Sequence, residues 1–183
     1  MKIIAYLLII LFSVFTSHEV LAQSPPYKPK VEVVSSDWKD HGLTIGLNYG
    51  RYAYGEVGYF KHYVYEAGGF PVSSYGINYG LELSYIDEVV LAPKVQGRFH
   101  FYFLNASLSA LYYSNLAKEY AIKLRPEIGI GLQNFDINYG YNIGVVKDDF
   151  TRSNKSLLSI RYYLKLKRRH LNEYDAKGNK INR

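Results

Sequence analysis

The chain contains no cysteine in its 183 residues. A disulfide framework is therefore excluded, and so are a lipid anchor on a cysteine and a metal site built from thiolates. After residue 22 no apolar run approaches the length of roughly 18 residues that a membrane-spanning helix needs. Whatever fold the chain adopts has to be held together by hydrogen bonds and packing alone.

The first 22 residues show the features of a secretory signal peptide. Lys2 supplies positive charge, residues 3–15 form a short apolar run, and Val20 and Ala22 stand where a signal peptidase reads small residues. We expect cleavage after Ala22. Residues 23–42, which hold three prolines, are expected to form a periplasmic lead-in.

Apolar and polar residues alternate with a period of two in eight segments between Leu43 and Lys167. In the clearest segment, 75–85, tyrosine, isoleucine and leucine occupy the odd positions, and glycine, asparagine, glutamate and serine occupy the even ones. Such alternation predicts strands with one apolar face. Roughly three dozen large side chains share that face, which is more than the interior of a closed eight-stranded sheet can hold.

The apolar face is therefore expected to point outward into lipid. The 20 tyrosines suit a membrane interface, and the glycine-rich and serine-rich face suits a cramped interior. The sequence predicts an all-β fold, an eight-stranded antiparallel up-and-down transmembrane β-barrel over 43–167, in the outer membrane. A basic polar tail, expected to be disordered or weakly structured, would follow over 168–183. The alternative is a soluble exported β-sandwich that acts as a binding protein.

The even number of strands places both chain ends on the periplasmic side of such a barrel. We expect periplasmic turns at 67–72, 104–105 and 133–134, and short outer connections at 51–55, 86–93, 114–120 and 146–156. Pro126 falls inside the sixth segment, where its missing N–H predicts a bulge or a later strand start.

Inward-facing polar residues come closest to a functional site, and the candidates are Glu82, Arg98, Arg125, Glu127, Asn142 and Arg161. A symmetric connection would set Glu82 opposite Arg98. The same counting sets Asn142 opposite Arg161, with Glu127 near the level of Asn142. The network could be a plug of salt bridges, or, because inward lysines add positive charge, the lining of a narrow anion-favouring pore.

No enzyme motif stands out. The histidines show no spacing to a serine that would suggest a nucleophile and base, and with no cysteine they are too scattered for a metal site. Asp148 and Asp149 are read as a solvated loop. The net charge of +6 is dispersed, so no nucleic-acid partner is expected. We expect no catalysis and no cofactor; the expected partners are outer-membrane lipid and lipopolysaccharide, and the barrel assembly machinery and periplasmic chaperones during biogenesis.

Three stretches resemble the small outer membrane β-barrel proteins of Bacteroidetes-type bacteria. They are the segments 124–132 (LRPEIGIGL), 138–143 (NYGYNI) and 48–52 (NYGRY), and the leader ends in Leu-Ala-Gln. The resemblance implies an outer-membrane location and an eight-stranded fold, and it implies no shared activity. Such barrels often finish on an aromatic residue, whereas this chain ends in a basic tail.

Overall fold

The computed structural model describes residues 34–181, apart from residues 86, 117, 118, 133, 148 and 149. The expected signal peptide and most of the expected lead-in lie outside these residues. Within the described part of the chain no helix is long and apolar enough to cross a membrane.

In the part of the chain that the structure describes, nine antiparallel strands make up one sheet. They are β1 (Ser35–Tyr49), β2 (Ala53–Ala67), β3 (Phe70–Tyr85), β4 (Val89–Phe101), β5 (Leu104–Ser114), β6 (Tyr120–Leu132), β7 (Phe135–Tyr141), β8 (Ile143–Val146) and β9 (Ser156–Tyr174). The prediction of an all-β antiparallel fold is confirmed. A sandwich of two packed sheets is not what the chain forms.

The sheet closes on itself. Each strand pairs with the next one along the chain as far as β6, and β9 pairs with both β7 and β1. Only Asn142 separates β7 from β8, and the two strands pair with successive stretches of β6. They therefore share one place in the sheet, which leaves eight places around it. Closure gives partners to backbone groups that an open sheet would leave unpaired at its edges.

The connections fall into two sets. At one end, here called the turn end, the turns are the two residues Gly68–Gly69, the two residues Tyr102–Phe103, and residues 133–134. Gly68 and Gly69 have φ of 57° and 80°, a backbone region that glycine enters without steric cost. At the other end, the loop end, the connections are 50–52, 86–88, 115–119 and 147–155.

The turn expected at 104–105 was wrong. Asn105 lies within β5 and is buried, and the chain reverses at Tyr102, whose φ is 54°. Asparagine favours turns because its amide bonds locally, but here the side chain continues the inward series of β5. The residue type of Asn105 predicts a turn, whereas its place in the alternating pattern predicts a strand, and the structure follows the alternating pattern.

Strands β1 and β9 extend further than expected. β1 begins at Ser35, inside the expected lead-in, and β9 runs to Tyr174, seven residues past Lys167. The two extensions pair with each other, with bulges at Asp37/Trp38 and His41/Gly42. The expectation that the tail is disordered or weakly structured from Arg168 onward was wrong for residues 168–174, which belong to β9. Its polar residues have partners: Arg168 donates to Asp40 at 2.9 Å and to Glu66 at 2.6 Å.

Beyond β9 the chain turns back. Backbone N–H groups of Lys177 and Asn179 donate to the Asp175 carboxylate at 2.9 and 2.8 Å, and Lys180 bridges to Tyr174. These hydrogen bonds, above all that from Asn179, hold the pKa of Asp175 below its ordinary value.

Pro126 does not delay the start of β6, which runs straight through it and pairs there with Leu108. The irregularity lies on the neighbouring strands instead. Pairing with β7 ends at Glu127↔Gly140 and resumes with β8 at Leu124↔Ile143. The break between β7 and β8 thus faces the residue that has no N–H to donate.

The two faces of the closed sheet are inverted relative to a water-soluble protein. Among the described residues, twenty-four polar or charged residues are buried against eleven hydrophobic ones, and the two largest fully buried side chains are Arg125 and Arg161. Thirty-eight large hydrophobic residues of the same described part are exposed, most of them on the outer face of the strands. Charged residues are rarely buried without partners. The contacts among the buried charged residues are therefore the place to look for a functional site.

The extension of β9 leads to a first prediction. A chain ending at Lys167 should lose roughly 2–4 kcal/mol of unfolding free energy, because residues 35–40 lose their pairing partners and buried Asp40 loses Arg168. A chain ending at Asp175 keeps all of β9 and should stay within about 0.5 kcal/mol. Thermal unfolding followed by circular dichroism compares the two. Equal melting curves would contradict the pairing of the extension.

Candidate functional site

Six charged side chains meet inside the closed sheet and form one continuous cycle of ion pairs. Going round it, the members are Lys94, Glu56, Arg161, Glu127, Arg125 and Glu82, and the last returns to Lys94. We call this set the ion-pair cycle. Each of the six side chains is at most 1 % exposed.

Each of the two arginines holds one carboxylate by two hydrogen bonds. Arg161 donates two parallel hydrogen bonds to Glu127, from Nη1 to Oε2 at 2.6 Å and from Nη2 to Oε1 at 2.8 Å. Arg125 donates two hydrogen bonds to Glu82 in the same way, from Nη1 to Oε1 at 2.6 Å and from Nη2 to Oε2 at 3.0 Å. The planar guanidinium matches both carboxylate oxygens at once, so these forks fix geometry as well as charge.

Bridging contacts join the two forks into a cycle. Glu56 accepts from Lys94 Nζ at 2.6 Å and from Arg161 Nε at 2.9 Å. Lys94 also lies 3.4 Å from Glu82, and Arg125 lies 3.7 Å from Glu127. Every carboxylate thus has two cationic neighbours, and three acids balance three bases. The cycle as a whole is neutral.

Glycines make room for these long side chains. Gly46 pairs with Glu56 on one side and Arg161 on the other, and a Cβ there would come within 3.1 Å of the Arg161 side chain. A Cβ at Gly140 would lie 3.0 Å from Glu127 and 3.2 Å from Arg125. Gly46 and Gly140 therefore leave space for the charged side chains beside them.

Neutral polar side chains occupy much of the remaining bonding capacity. Gln96 Nε2 and Ser107 Oγ each donate to Glu127 at 2.9 Å, and Asn48 donates to Glu56 at 3.0 Å. Arg125 Nε donates to Asn142 Oδ1 at 2.8 Å. Buried ions need such bonds in addition to their charge partners, because the lost hydration would otherwise dominate.

A second, smaller network lies nearer the turn end. Arg98 Nε donates to Asp136 at 3.1 Å, and the Tyr163 hydroxyl donates to the same carboxylate oxygen at 2.9 Å. The Arg98 guanidinium also sits over the Tyr163 ring, 4.5 Å from its centroid. Arg98 therefore has its own acid and does not join the ion-pair cycle.

All six residues predicted from the sequence are buried in the interior, but the predicted pairs are wrong. Glu82 pairs in register with Ala92, and Arg98 with Gly76, because the β3–β4 connection is shorter than expected. Arg161 faces Asp136 instead of Asn142. Glu127 faces Gly140, two residues from Asn142, close to the expected level. The structure brings together Glu82, Arg125, Glu127, Asn142 and Arg161, and leaves Arg98 outside that group.

Sequence reasoning missed two acids of these networks, Glu56 and Asp136, whereas Lys94 was expected to point inward but was given no partner. Both acids occupy inward positions of the alternating pattern, so the signal was present in their phase. Because these two acids were not counted, the inward bases appeared in excess, although each buried charge needs a counterpart.

The loop end of the interior is apolar, which the alternating pattern did not reveal. Tyr54, Leu111, Tyr113 and Phe150 pack there with Val90, Ala92 and Ala121. Phe150 comes from the connection 147–155 and is buried. Two further contacts hold this part of the chain in place. Asn154 exchanges two hydrogen bonds of 2.8 Å with the Tyr52 backbone, and the Tyr54 hydroxyl donates a hydrogen bond to the Arg152 carbonyl. The described residues 150–154 of this connection therefore lie over the loop end of the interior.

The described histidines have separate partners. His62 bonds Asn78 at 2.7 Å, His100 bonds the Gly131 carbonyl at 3.2 Å, and His41 bonds the Tyr59 hydroxyl at 2.7 Å. Over residues 34–181, omitting those not described, no group of three or more histidine, aspartate or glutamate residues is placed to hold a metal ion. Asp148 and Asp149 lie outside the described residues.

Comparison with protein-family models, with curated proteins and with solved structures finds no match to this chain. The resemblance to small outer membrane β-barrel proteins of Bacteroidetes-type bacteria therefore stays a prediction. The arguments about function have to come from the geometry of the site and of the outer face.

The ion-pair cycle predicts a large cost for removing one charge. Glu82→Gln should lower the unfolding free energy by about 3–5 kcal/mol, because buried Arg125 and Lys94 lose their common counterion. Glu119→Gln is the matched control: it alters an exposed pair with Arg152 and should cost less than about 1 kcal/mol. Urea unfolding followed by the fluorescence of Trp38 measures both. Similar midpoints for the two variants would contradict the cycle.

Proposed function

We propose that this chain is an outer-membrane β-barrel whose interior is plugged by ion pairs, and that it has a structural or surface-interaction role. One observation carries the proposal: the closed sheet exposes its apolar face and buries its charged one. In water this arrangement would expose far more hydrophobic surface than soluble monomers tolerate. In a bilayer it is the arrangement that lipid requires.

The composition of the outer face supports a membrane location. Leucine, isoleucine and valine share the outer face with tyrosine, and two of the exposed tyrosines, Tyr49 and Tyr85, are the last residues of their strands. Tyrosine prefers the membrane–water boundary, where its ring contacts acyl chains and its hydroxyl stays hydrated. A soluble binding protein with this outer face would need a partner to cover nearly all of it.

The interior supports a plug more than a pore. The ion-pair cycle is neutral and its contacts cross the interior from β2, β3 and β4 to β6 and β9. The pore alternative relied on an excess of inward positive charge. Within the described residues Lys94, Arg98, Arg125 and Arg161 each contact an acid, which removes most of that excess.

The small size of the connections bears on the role. At the loop end three of the four connections have three to five residues, and in the longest, 147–155, the described residues 150–154 lie over the interior. Such an end offers little surface for a deep binding site or for an inserted enzyme domain. A structural role in the membrane, or contacts made by the outer face itself, fits this geometry best.

The membrane location predicts a penalty for charge on the outer face. Ile128 is 68 % exposed near the middle of β6, so Ile128→Arg should cost about 2–4 kcal/mol in a bilayer. Leu116, 67 % exposed in the 115–119 connection, gives the matched control, since Leu116→Arg stays in water and should cost almost nothing. Urea unfolding of the full chain in phospholipid vesicles measures the difference.

The opposite outcome is equally clear. A soluble protein would accept arginine at either exposed position with little change. Stable, monodisperse protein in buffer without detergent, with equal stability of the two variants, would overturn the membrane proposal.

The plug predicts electrical silence. The full chain in a planar bilayer should show no discrete openings, because the contacts of the cycle cross the interior and residues 150–154 lie over one end. Glu127→Gln, which loosens Arg161, should raise leak current, whereas Glu119→Gln at the exposed rim should not. Anion-selective openings of the parent chain that disappear in Arg98→Ala would favour the pore instead.

A further inference from the structure

A row of basic side chains crosses three neighbouring strands on the outer face near the turn end. His41 on β1 pairs in register with Lys61 on β2 and with Lys167 on β9. Two residues further toward the chain ends, Lys39 pairs with Arg169. We call Lys39, His41, Lys61, Lys167 and Arg169 the basic row.

The basic row comes directly after outward apolar residues of these strands. Leu43 and its partner Tyr59 precede the row on β1 and β2, and exposed Leu166 comes directly before Lys167 on β9. The bulge at His41/Gly42 inserts an extra residue into β9, so that Lys165 pairs with inward Gly42 while Lys167 pairs with His41. The bulge thereby returns Lys167 to the outer face, because one extra residue reverses the side to which the following residues point.

The cations of the row have no acid of their own. Among the described residues neither Lys39, Lys61, Lys167 nor Arg169 forms an ion pair, whereas the inward Arg168 of the same strand has two. By register, the nearest acid on this outer face is Asp37, and its carboxylate already accepts from Asn172 and Tyr174. The row thus carries at least four uncompensated positive charges.

An apolar groove opens beside Lys61. It measures about 750 Å³ and is lined by Lys61, Tyr63, Tyr75, Ile77, Gly97 and Leu108, among others. Its floor is Gly97, where an added Cβ would meet nothing within 4 Å. The stacked rings of Tyr63 and Tyr75, 5.3 Å apart, flank it next to the basic row. The basic row and the apolar groove therefore meet at Lys61.

We propose that the basic row and this groove together bind one anionic phospholipid of the periplasmic leaflet. The row holds the headgroup phosphate, and one acyl chain lies in the groove over Gly97. The inference rests on the proposed membrane location, because only there do headgroups lie at the boundary between the apolar surface and the row. Charge complementarity selects an anionic lipid over a zwitterionic one, since clustered lysine and arginine attract anionic headgroups.

The single tryptophan of the chain offers a direct readout. Trp38 lies on β1 next to Lys39, so energy transfer from it reports lipids held at the row. The full chain is placed in phosphatidylcholine vesicles containing a trace of phosphatidylglycerol or of phosphatidylcholine, each with the same dansyl-labelled acyl chain. We expect labelled phosphatidylglycerol to be enriched about fivefold at Trp38, an enrichment that high salt weakens.

Charge variants test the row. The double variant Lys61→Gln/Lys167→Gln should abolish the enrichment of phosphatidylglycerol. Lys155→Gln, which removes an exposed lysine at the loop end, is the matched control and should keep it. Equal transfer from both lipids in the parent chain, or an unchanged preference in the double variant, would overturn the proposal.

Glycine variants test the groove. Gly97→Leu fills the floor of the groove and should at least halve the transfer from labelled phosphatidylglycerol. Gly55→Leu adds the same side chain on the outer face of β2 near the loop end, where an added Cβ lies 3.9 Å from its nearest contact, and should have no effect. Unchanged transfer in Gly97→Leu would remove the groove from the site.

Two further measurements separate the possible failures. Insertion is followed independently, by the change in gel mobility between unboiled and boiled samples. Failure to insert would overturn the membrane proposal itself, whereas insertion without a lipid preference would overturn only the lipid site. Glycerol phosphate should compete no better than sodium chloride of equal ionic strength. Stronger competition would indicate a site for free phosphate in place of a headgroup.

Discussion

Closure of the sheet is the constraint on which the rest of this structure depends. Once β9 pairs with β1, the number of strands and their stagger fix the interior volume, and every inward side chain has to fit inside it. Inward glycines and long charged residues are complementary solutions to this packing problem. Gly46 and Gly140 give up side-chain volume at the positions where Arg161, Arg125 and Glu127 need it.

Closure also explains why the interior is ionic. The large apolar side chains of this sequence exceed what the interior can hold, so they occupy the outside, and the inward face is left with polar residues. Charges enclosed in this way stabilise the fold only when each has a counterpart. The structure meets that condition with the neutral ion-pair cycle and, separately, with Arg98 and Asp136. The apolar cluster around Phe150 fills the loop end, where the cycle does not reach.

The sequence predicted the faces well and the pairs poorly, for one physical reason. Alternation tells which side of the sheet a residue points to, and an even shift in register leaves that side unchanged. The pairing of Glu82 with Ala92 instead of Arg98 is an even shift of six residues, caused by a β3–β4 connection that is shorter than symmetry suggested. Burial of Glu82 and Arg98 was therefore predictable, whereas their partners depended on turn lengths that the pattern does not encode. The paired extension of β9 was missed because its polar residues resemble a tail until β1 is placed beside them.

Because alternation permits even shifts in register, some other feature has to select the observed register, and the ion-pair cycle can do so. A two-residue slip of β9 against its neighbours would keep every face correct, yet it would withdraw Arg161 from both Glu56 and Glu127 and leave two buried carboxylates without their arginine. Without β9 the five other members of the cycle carry one net negative charge, and Arg161 neutralises it. The cycle therefore makes the observed register of β9 lower in free energy than registers that alternation alone would allow.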